Sequence, residues 1–305
     1  MKKYNRVLTI AGSDSGGGAG IQADIKTISA MGCYAASAIT AITVQNTLGV
    51  EAVHAVPLNI LAGQIDAVMS DIGADAVKIG MLHSAEVVNL VADKIEQYGI
   101  RNVVLDPVMV STSGHRLIEE SAVEHIVRRL LPLARVITPN IPEAEILYAK
   151  LASLHESAQE SAQIRPGLKI TSEADFPAVA KILASRTNDT RETSPEDASD
   201  SKDERQVSVL LKAGHLSGDD LVDYFYNAED GTITQLPSKR VYTRNTHGTG
   251  CTLSSAFASA LARGEGLTQA AVSAKEYIEG AIISGADYEI GHGHGPVNHF
   301  WEQRP

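Results

Sequence analysis

Short apolar segments alternate with amphipathic helical segments along most of this chain. Residues 6–12 (RVLTIAG) and 76–80 (AVKIG) are short and rich in β-branched and apolar residues, which predicts strands. The segments that follow them, 20–32 and 84–99, carry apolar residues at helical spacing. Strands that are apolar on both faces, separated by one-sided helices, predict an α/β fold with a mostly parallel sheet covered on both faces.

The same alternation continues to the C-terminal end, with one interruption. Further strands are predicted at 36–46, 102–108, 135–140 and 207–215, an antiparallel hairpin at 221–243, and further helices at 58–71, 118–131, 174–185, 250–263 and 266–284. Residues 150–206 break this rhythm, and within them 186–206 is charged with almost no large apolar residue. We therefore predict one domain, 1–305, with a disordered polar loop at 186–206 inserted in it.

The bulk composition narrows the classes of protein that fit. The chain has 305 residues and a formal net charge of −11, which argues against nucleic acid and anionic membranes as partners. Its two cysteines cannot form a disulfide framework, and no apolar run reaches the roughly 18 residues that span a bilayer. We expect a cytoplasmic protein with neither a membrane segment nor a nucleic-acid site.

A glycine-rich stretch, AGSDSGGGAGIQAD at 11–24, follows the first strand and opens the first helix. Glycines let a ligand approach the backbone, and the start of a helix favours an anion or polar group. The dinucleotide-binding pattern fails at Ile21, and the chain contains no Gly-Lys pair, so there is no P-loop. A binding loop is the functional interpretation, and a βα loop without a ligand is the alternative.

Polar side chains follow three of the later predicted strands. Asp106 ends one strand, Asn140 and Glu143 follow another, and Lys212 lies in the strand at 207–215. Carboxylates at neighbouring strand ends can hold Mg²⁺ through water, and a lysine there can neutralise phosphate. The alternatives are that Asn140 and Glu143 cap a helix and that Lys212 makes an ordinary surface ion pair.

The segment NTHGTGC, 245–251, is the strongest signal of chemistry in the chain. Its glycines allow successive backbone N–H groups to form an anion site, and the helix that begins there adds its positive end. A helix N-terminus lowers a thiol pKa, so we expect Cys251 to be an acidic thiol able to accept a proton from a substrate hydroxyl. The alternatives are a cysteine that merely packs the helix start and a cysteine hydrolase that uses His247 as a partner.

Three histidines, His292, His294 and His299, lie in the closing segment GHGHGPVNHF, 291–300. The histidines alternate with glycine and no cysteine lies near them in the sequence, so a metal site is the weaker interpretation. We expect instead a terminal segment that folds over the sheet.

Taken in order, these motifs resemble those of one family. The segments that carry the resemblance are TIAGSDSGGGAGIQADIKT, ITAITVQNT, VKIGML, VVLDPVM, ITPNIPEAE, LLKAGH and NTHGTGCTLSSA. They are similar to the hydroxymethylpyrimidine (phosphate) kinases of thiamine biosynthesis, in the ribokinase-like superfamily. The resemblance covers about 5–149, 170–185 and 207–300. It implies a three-layer αβα ribokinase-like fold with a mostly parallel central sheet, and a homodimer.

The resemblance also implies a reaction and a set of site residues. Such enzymes use ATP and Mg²⁺ to phosphorylate the hydroxymethyl group of 4-amino-5-hydroxymethyl-2-methylpyrimidine, and then its monophosphate. Gln45 would read the aminopyrimidine, in a pocket that would be lined by Gly12, Asp24 and Met81. Asp106 and Glu143 would place Mg²⁺, and the ATP phosphates would contact Asn140, Lys212 and Thr246. The catalytic group would comprise Lys212, Gly248, Thr249, Gly250 and the base Cys251.

Two other functions fit parts of the pattern. A pyridoxal kinase of the same architecture also phosphorylates a hydroxymethyl group on a six-membered aromatic ring, although Gln45 favours the aminopyrimidine. A pyrimidine-binding sensor would bind the ligand without consuming ATP, which the set of Asp106, Lys212 and Cys251 argues against.

Overall fold

The strands pair into one nine-stranded sheet in the order β3-β2-β1-β4-β5-β6-β7-β8-β9. The computed structural model describes residues 2–109, 118–155, 168–185 and 206–303. The strands of these residues are β1 Arg6–Ser13, β2 Tyr34–Asn46, β3 Gly49–Ala55, β4 Ala76–Ile79, β5 Val103–Leu105, β6 Val136–Ile137, β7 Ser208–Leu211, β8 Asp220–Asn227 and β9 Thr232–Lys239. The α-helices are α1 Gly20–Ala30, α2 Leu58–Ala67, α3 Ala85–Gln97, α4 Glu120–His125, α5 Ile141–His155, α6 Phe176–Ser185, α7 Thr249–Ala262 and α8 Leu267–Gly285.

The six central strands, from β2 to β7, are parallel, and the strands outside them are antiparallel. Helices connect most of the parallel strands, as a crossover between parallel neighbours requires. The mostly parallel sheet and the hairpin of β8 and β9 are thereby confirmed. The edge strand β3 was not predicted, because its sequence GVEAVHA is largely exposed and carries only a weak apolar signal.

Two predicted strands are shorter than expected. We predicted strands at 102–108 and 135–140, but β5 ends at Leu105 and β6 at Ile137. Pro107 and Pro139 lie just beyond these ends, and proline has no N–H to donate to the ladder. The chain therefore leaves the sheet early and carries its polar side chains over the sheet edge.

Helices pack on both faces of the sheet around two separate apolar clusters. Leu61 of α2 and Phe176 of α6 belong to the cluster on one face, and Ile28 of α1 and Phe257 of α7 to the cluster on the other. All four side chains are fully buried, and each contributes about 1.5–3 kcal/mol. The three-layer αβα arrangement of the ribokinase-like fold is confirmed.

Helix α7 lies at the centre of its layer and contacts α1, α8 and strand β4. Every residue from Thr252 to Ala262 is buried, and most of them are serine or alanine. These small side chains allow neighbouring helices to approach closely. The same packing fixes the start of α7 against the carboxyl ends of the strands.

The predicted polar loop at 186–206 lies outside the described residues apart from Gln206, as does the polar stretch 156–167. Within the described ranges, no helix combines the length and the apolar character needed to cross a bilayer.

Candidate active site

One large cavity, of about 1010 Å³, lies at the carboxyl ends of the parallel strands. Each strand places a residue on its wall: Gly12 from β1, Met81 after β4, Asp106 after β5, Asn140 after β6 and Lys212 after β7. Ligands of open α/β sheets bind in this position because the strand ends and the helix starts converge there. The predicted site residues are thus brought together by the sheet itself.

The glycine-rich loop after β1 is organised by a buried carboxylate, Asp14. Its two oxygens accept the backbone N–H groups of Gly16, Gly18 and Ala19 at 2.8, 3.0 and 2.8 Å. Burial by itself would raise the pKa of Asp14, but hydrogen bonds from His247 and these N–H groups hold that pKa below its ordinary value. The loop is therefore rigid around a fixed negative charge.

The turn before α7 brings backbone N–H groups to the cavity. Gly248 caps the helix with φ of 80°, and a Cβ there would collide with the carbonyl oxygen of Gly18. A Cβ on Gly250 would lie 3.5 Å from both Lys212 Nζ and Asp106 Oδ2. The first N–H groups of a helix have no partner within it, so the start of α7 and Lys212 together form a site for an anion.

Lys212 lies between two carboxylates. Its Nζ is 3.2 Å from Asp106 Oδ1 and 3.9 Å from Glu143 Oε2. Burial would lower the pKa of Lys212, but the attraction of these carboxylates raises it above its ordinary value. Burial, with repulsion from Asp106, raises the pKa of Glu143 to about 7, although Lys212 acts against the shift. Lys212 therefore carries its positive charge at neutral pH.

Asn140 and Glu143 also cap helix α5 reciprocally. The Asn140 side chain accepts the N–H of Glu143 at 2.9 Å, and the Glu143 carboxylate accepts the N–H of Asn140 at 2.8 Å. The alternative prediction, that Asn140 and Glu143 cap a helix, is thus confirmed. Glu143 also lines the cavity, beside Lys212.

The residues around Lys212 suit a hydrated Mg²⁺ ion better than a metal held by protein alone. Asp106 and Glu143 supply two carboxylates, and among the described residues no group of three His, Cys, Asp or Glu side chains could hold an ion. Mg²⁺ keeps most of its water and is commonly bound by one or two carboxylates together with substrate phosphates. The donor set fits such an ion.

Cys251 is half-buried on the cavity wall, in the first turn of α7. Burial raises the pKa of its thiol to about 11, and the nearby Asp24 and Asp106 act in the same direction. Lys78 and a backbone hydrogen bond from Gly20 oppose the shift without cancelling it. The expectation of an acidic thiol is therefore wrong, because desolvation outweighs the helix start.

Asp24 does not line the cavity, contrary to the expectation. It is fully buried behind the wall, where both its oxygens lie 2.9 Å from Lys78 Nζ. It also accepts the hydroxyl protons of Thr9 and Ser255. A single carboxylate in the sequence could not be assigned to wall or core, because its partner Lys78 lies 54 residues away.

The opposite part of the cavity contains Gln45 and Met81. The terminal atoms of the Gln45 amide lie 3.1 Å from Thr43 Oγ1 and 3.3 Å from His247 Nε2. A Cβ on Gly12 would lie 2.7 Å from Met81 Cε, so a larger residue there would displace the end of the Met81 side chain. Thr246, Gly248 and Thr249 also line the cavity.

Two residues of the site were not assigned to it from the sequence. Asp14 was quoted only as part of the glycine-rich loop, and His247 was considered only as a partner for Cys251. In the structure His247 Nε2 lies 2.9 Å from Asp14 Oδ2. An aspartate two residues before a run of glycines was the available signal, because its carboxylate can accept the N–H groups of such a loop.

The histidine-containing closing segment packs against the turns of the site. The N–H of His294 donates to the Thr47 carbonyl at 2.9 Å, and the N–H of His247 donates to the Gly295 carbonyl at 3.0 Å. The segment therefore connects the β2–β3 turn to the turn before α7.

Together, a parallel sheet with helices on both faces and a cavity with a charged lysine, two carboxylates and the start of a helix define a small-molecule kinase of the ribokinase-like fold. The comparisons with known proteins refine this class. The family model described as phosphomethylpyrimidine kinase matches residues 14–171 and 174–298. The chain belongs to this family.

Individual relatives agree with this assignment. The chain is 44% identical over 293 residues to a hydroxymethylpyrimidine/phosphomethylpyrimidine kinase of Rhizobium meliloti (strain 1021), covering 96% of each protein. A phosphomethylpyrimidine kinase structure from Clostridium difficile 630 is 39% identical, with a TM-score of 0.69 over 91% of this chain and 99% of that one. The pyridoxal kinase of Staphylococcus aureus in complex with pyridoxal is 30% identical, with a TM-score of 0.78 over 99% of this chain and 96% of that one.

Proposed function

We propose that this protein transfers the γ-phosphoryl group of ATP to 4-amino-5-hydroxymethyl-2-methylpyrimidine and then to the resulting monophosphate, in thiamine biosynthesis. The observation that carries the proposal is that one cavity holds both an amide, Gln45, and the anion site formed by Lys212 and the start of α7. The amide can pair with an aminopyrimidine, and the anion site can hold a phosphoryl group. Membership of the phosphomethylpyrimidine kinase family supports both the pyrimidine substrate and the phosphoryl transfer.

In this proposal, most of the catalysis is positioning and charge stabilisation. The transition state of phosphoryl transfer spreads charge over the phosphoryl oxygens, where fixed donors are effective. The turn at 248–251, together with the Lys212 ammonium, would face that charge, with Asn140 and Thr246 beside the ATP phosphates. Bound Mg²⁺, which Asp106 and Glu143 would hold, supplies additional neutralisation of phosphate charge.

Cys251 is the proposed acceptor of the hydroxymethyl proton. Because its thiol pKa is raised to about 11, only a small fraction is thiolate at neutral pH. A base of this kind is strong but rarely ionised. We therefore expect the contribution of Cys251 to grow with pH, while the anion site contributes at every pH.

An assay of ATP consumption tests the function directly. The purified protein would be given hydroxymethylpyrimidine, its monophosphate or pyridoxal in parallel, each with Mg²⁺ and ATP. We expect turnover with both pyrimidines, and formation of the monophosphate and the pyrophosphate by mass spectrometry. Turnover of neither pyrimidine would contradict the proposal, and turnover of only one would restrict it to that step.

Pyridoxal phosphorylation is the second candidate, since the likeness to the Staphylococcus aureus pyridoxal kinase extends over nearly the whole chain. Pyridoxal lacks the exocyclic amine that the Gln45 oxygen would accept. We therefore expect pyridoxal to have the lower kcat/KM of the two rings in the same assay.

A homodimer is proposed from the outer surface of β2. Ile42 and Val44 are 51% and 54% exposed, and Leu48 in the following turn is 67% exposed. A contiguous apolar surface of this kind is typical of an interface. Light scattering should give twice the monomer mass, and Val44→Asp should give the monomer; a wild-type monomer would contradict this.

We further infer one kinase domain over 1–305, acting in the cytoplasm, where ATP is the phosphoryl donor. The one continuous sheet supports the first inference.

A further inference from the structure

His247 and Asp14 form a pair on the cavity wall. His247 Nε2 lies 2.9 Å from Asp14 Oδ2, and both residues are buried, with exposures of 9% and 2%. Asp14 also accepts the N–H groups of Gly16, Gly18 and Ala19. A Cβ on Gly18 would collide with the His247 ring, so the imidazole is held closely against the glycine-rich loop.

This pair fixes where the imidazole carries a proton. A carboxylate that accepts several N–H groups has no proton to donate, so it can only accept from His247. His247 Nε2 must therefore be the donor in this contact, whichever state Nδ1 adopts. Hence Nε2 presents an N–H, and not a lone pair, to any other group within reach.

The Gln45 amide is the other group within reach of Nε2, and its orientation follows. Gln45 Nε2 lies 3.3 Å from His247 Nε2, and Gln45 Oε1 lies 3.1 Å from Thr43 Oγ1. Two N–H groups cannot bond to each other, and the single Thr43 hydroxyl proton is already donated to the Ser13 carbonyl at 2.8 Å. Turning the amide by 180° removes both conflicts, since its oxygen then shares the N–H that His247 Nε2 directs mainly at Asp14, and its nitrogen donates to Thr43.

We infer that His247, held by Asp14, is a positioning residue that fixes the orientation of the Gln45 amide, and that this orientation selects the order of donor and acceptor on the substrate ring. The inference rests on the proposed function. The fixed amide offers an acceptor on the side of His247 and a donor on the side of Thr43. His247 immediately precedes Gly248, so the acceptor lies on the side of the anion site.

The aminopyrimidine presents the matching order. Its hydroxymethyl group must point to the anion site, the amine is on the adjacent ring carbon, and the ring nitrogen comes next. The amine would therefore meet the Gln45 oxygen, and the ring nitrogen would meet the Gln45 NH₂. The 4-oxo counterpart of the ring has a carbonyl and a ring N–H in these places. Its carbonyl would therefore face the Gln45 oxygen, and its ring N–H would face the Gln45 NH₂. A site built on hydrogen bonds rejects such a mismatch strongly, whereas a freely turning amide accepts both rings.

The test is the ratio of kcat/KM for the amino ring to kcat/KM for the 4-oxo ring, with the affinity of each ring from calorimetry. His247→Leu removes the donor, and His247→Gln places an N–H near the position of Nε2. His299→Leu is the matched control, because His299 is also a buried histidine but does not line the cavity. His247→Asn, whose amide is too short to reach Asp14 in the same way, replaces His247→Leu if the latter does not fold.

We expect His247→Leu to lower the ratio at least about tenfold, and His247→Gln and His299→Leu to keep it within about threefold of wild type. An unchanged ratio in His247→Leu, or in His247→Asn if that variant is needed, would overturn the inference. An equal loss in His299→Leu would also overturn it, since the effect would then be general. If the wild-type protein turns over neither ring, the proposed function itself fails, which is a different outcome.

Discussion

Lys78 Nζ lies 2.9 Å from both carboxylate oxygens of Asp24, and both side chains are completely buried. Asp24 belongs to helix α1, and Lys78 belongs to strand β4. Thr9 of β1 and Ser255 of α7 donate hydroxyl protons to the same carboxylate, at 2.6 and 2.7 Å. The buried ion pair and its two hydroxyl partners therefore join α1, β4, β1 and α7, and Cys251 lies in the first turn of α7.

Breaking this pair should destabilise the protein more than removing both charges. Lys78→Met leaves a buried carboxylate without its counter-charge, and we expect a loss of about 3–5 kcal/mol in the free energy of unfolding. The double variant Lys78→Met with Asp24→Asn leaves a neutral amide, whose oxygen can accept from one of the hydroxyls of Thr9 and Ser255 while its NH₂ donates to the other, so it should lose less. Urea unfolding measures both, and a double variant less stable than Lys78→Met would contradict the argument.

Cys251→Ala should lower turnover increasingly as the pH rises. The thiol pKa of about 11 means that the thiolate fraction grows tenfold per pH unit below that value. If Cys251 accepts the proton, log kcat of the wild-type protein should rise between about pH 7 and 9 and stay nearly flat in the variant. Calorimetry should show unchanged pyrimidine binding. Near wild-type turnover in Cys251→Ala at pH 9 would remove the base role.

The two ends of α7 offer a matched pair of glycine variants. Gly248 has φ of 80°, and a side chain there would also collide with Gly18, whereas Gly264 has φ of 87° with open space around it. Gly248→Ala should therefore displace the anion site and lower kcat about 100-fold or more. Gly264→Ala should cost only about 1–2 kcal/mol of stability from backbone strain, with kcat unchanged. Equal kcat losses in both would show that strain alone is responsible.

Glu143 should make the ligand-free protein less stable as the pH rises. Its pKa is raised to about 7 in the fold, against an ordinary value of 4.5, so the folded state holds a proton that the unfolded state has released between these values. Stability is thus fully present below about pH 4.5 and is lost as the pH rises towards 7. The difference in unfolding free energy between wild type and Glu143→Gln should change by about 2 kcal/mol between pH 5 and 8. No change would mean that Glu143 is ionised throughout.

The fold was largely predictable because its signals are local. The first strand and helix, and the start of α7, follow from apolar periodicity and glycine placement within about 20 residues. Strand ends were less predictable. Pro107 and Pro139 interrupt the hydrogen-bond ladder of the sheet, and apolar periodicity alone does not show where such an interruption falls. The edge strand β3 was missed because most of its side chains are exposed. It forms a strand through its pairing with β2, which its own sequence pattern does not show.

The site residues divide in the same way. Gly12, Gln45, Asp106, Lys212 and Cys251 were predicted to share a site, and the parallel sheet brings them to one cavity. The prediction that Asp24 lines the pocket was wrong, because its burial is decided by partners that lie far away in the sequence.

By itself, the sequence determined the alternation of strands and helices, the family and the residues available for chemistry, since these depend on neighbouring residues and on residue type. Only the tertiary structure decided the protonation and orientation of those residues. Cys251 has a high thiol pKa because the surrounding layers remove water from it, and the Asp14–His247 pair exists because loops 233 residues apart meet at one sheet edge. Desolvation and long-range hydrogen bonds arise from packing, and a linear pattern does not contain them.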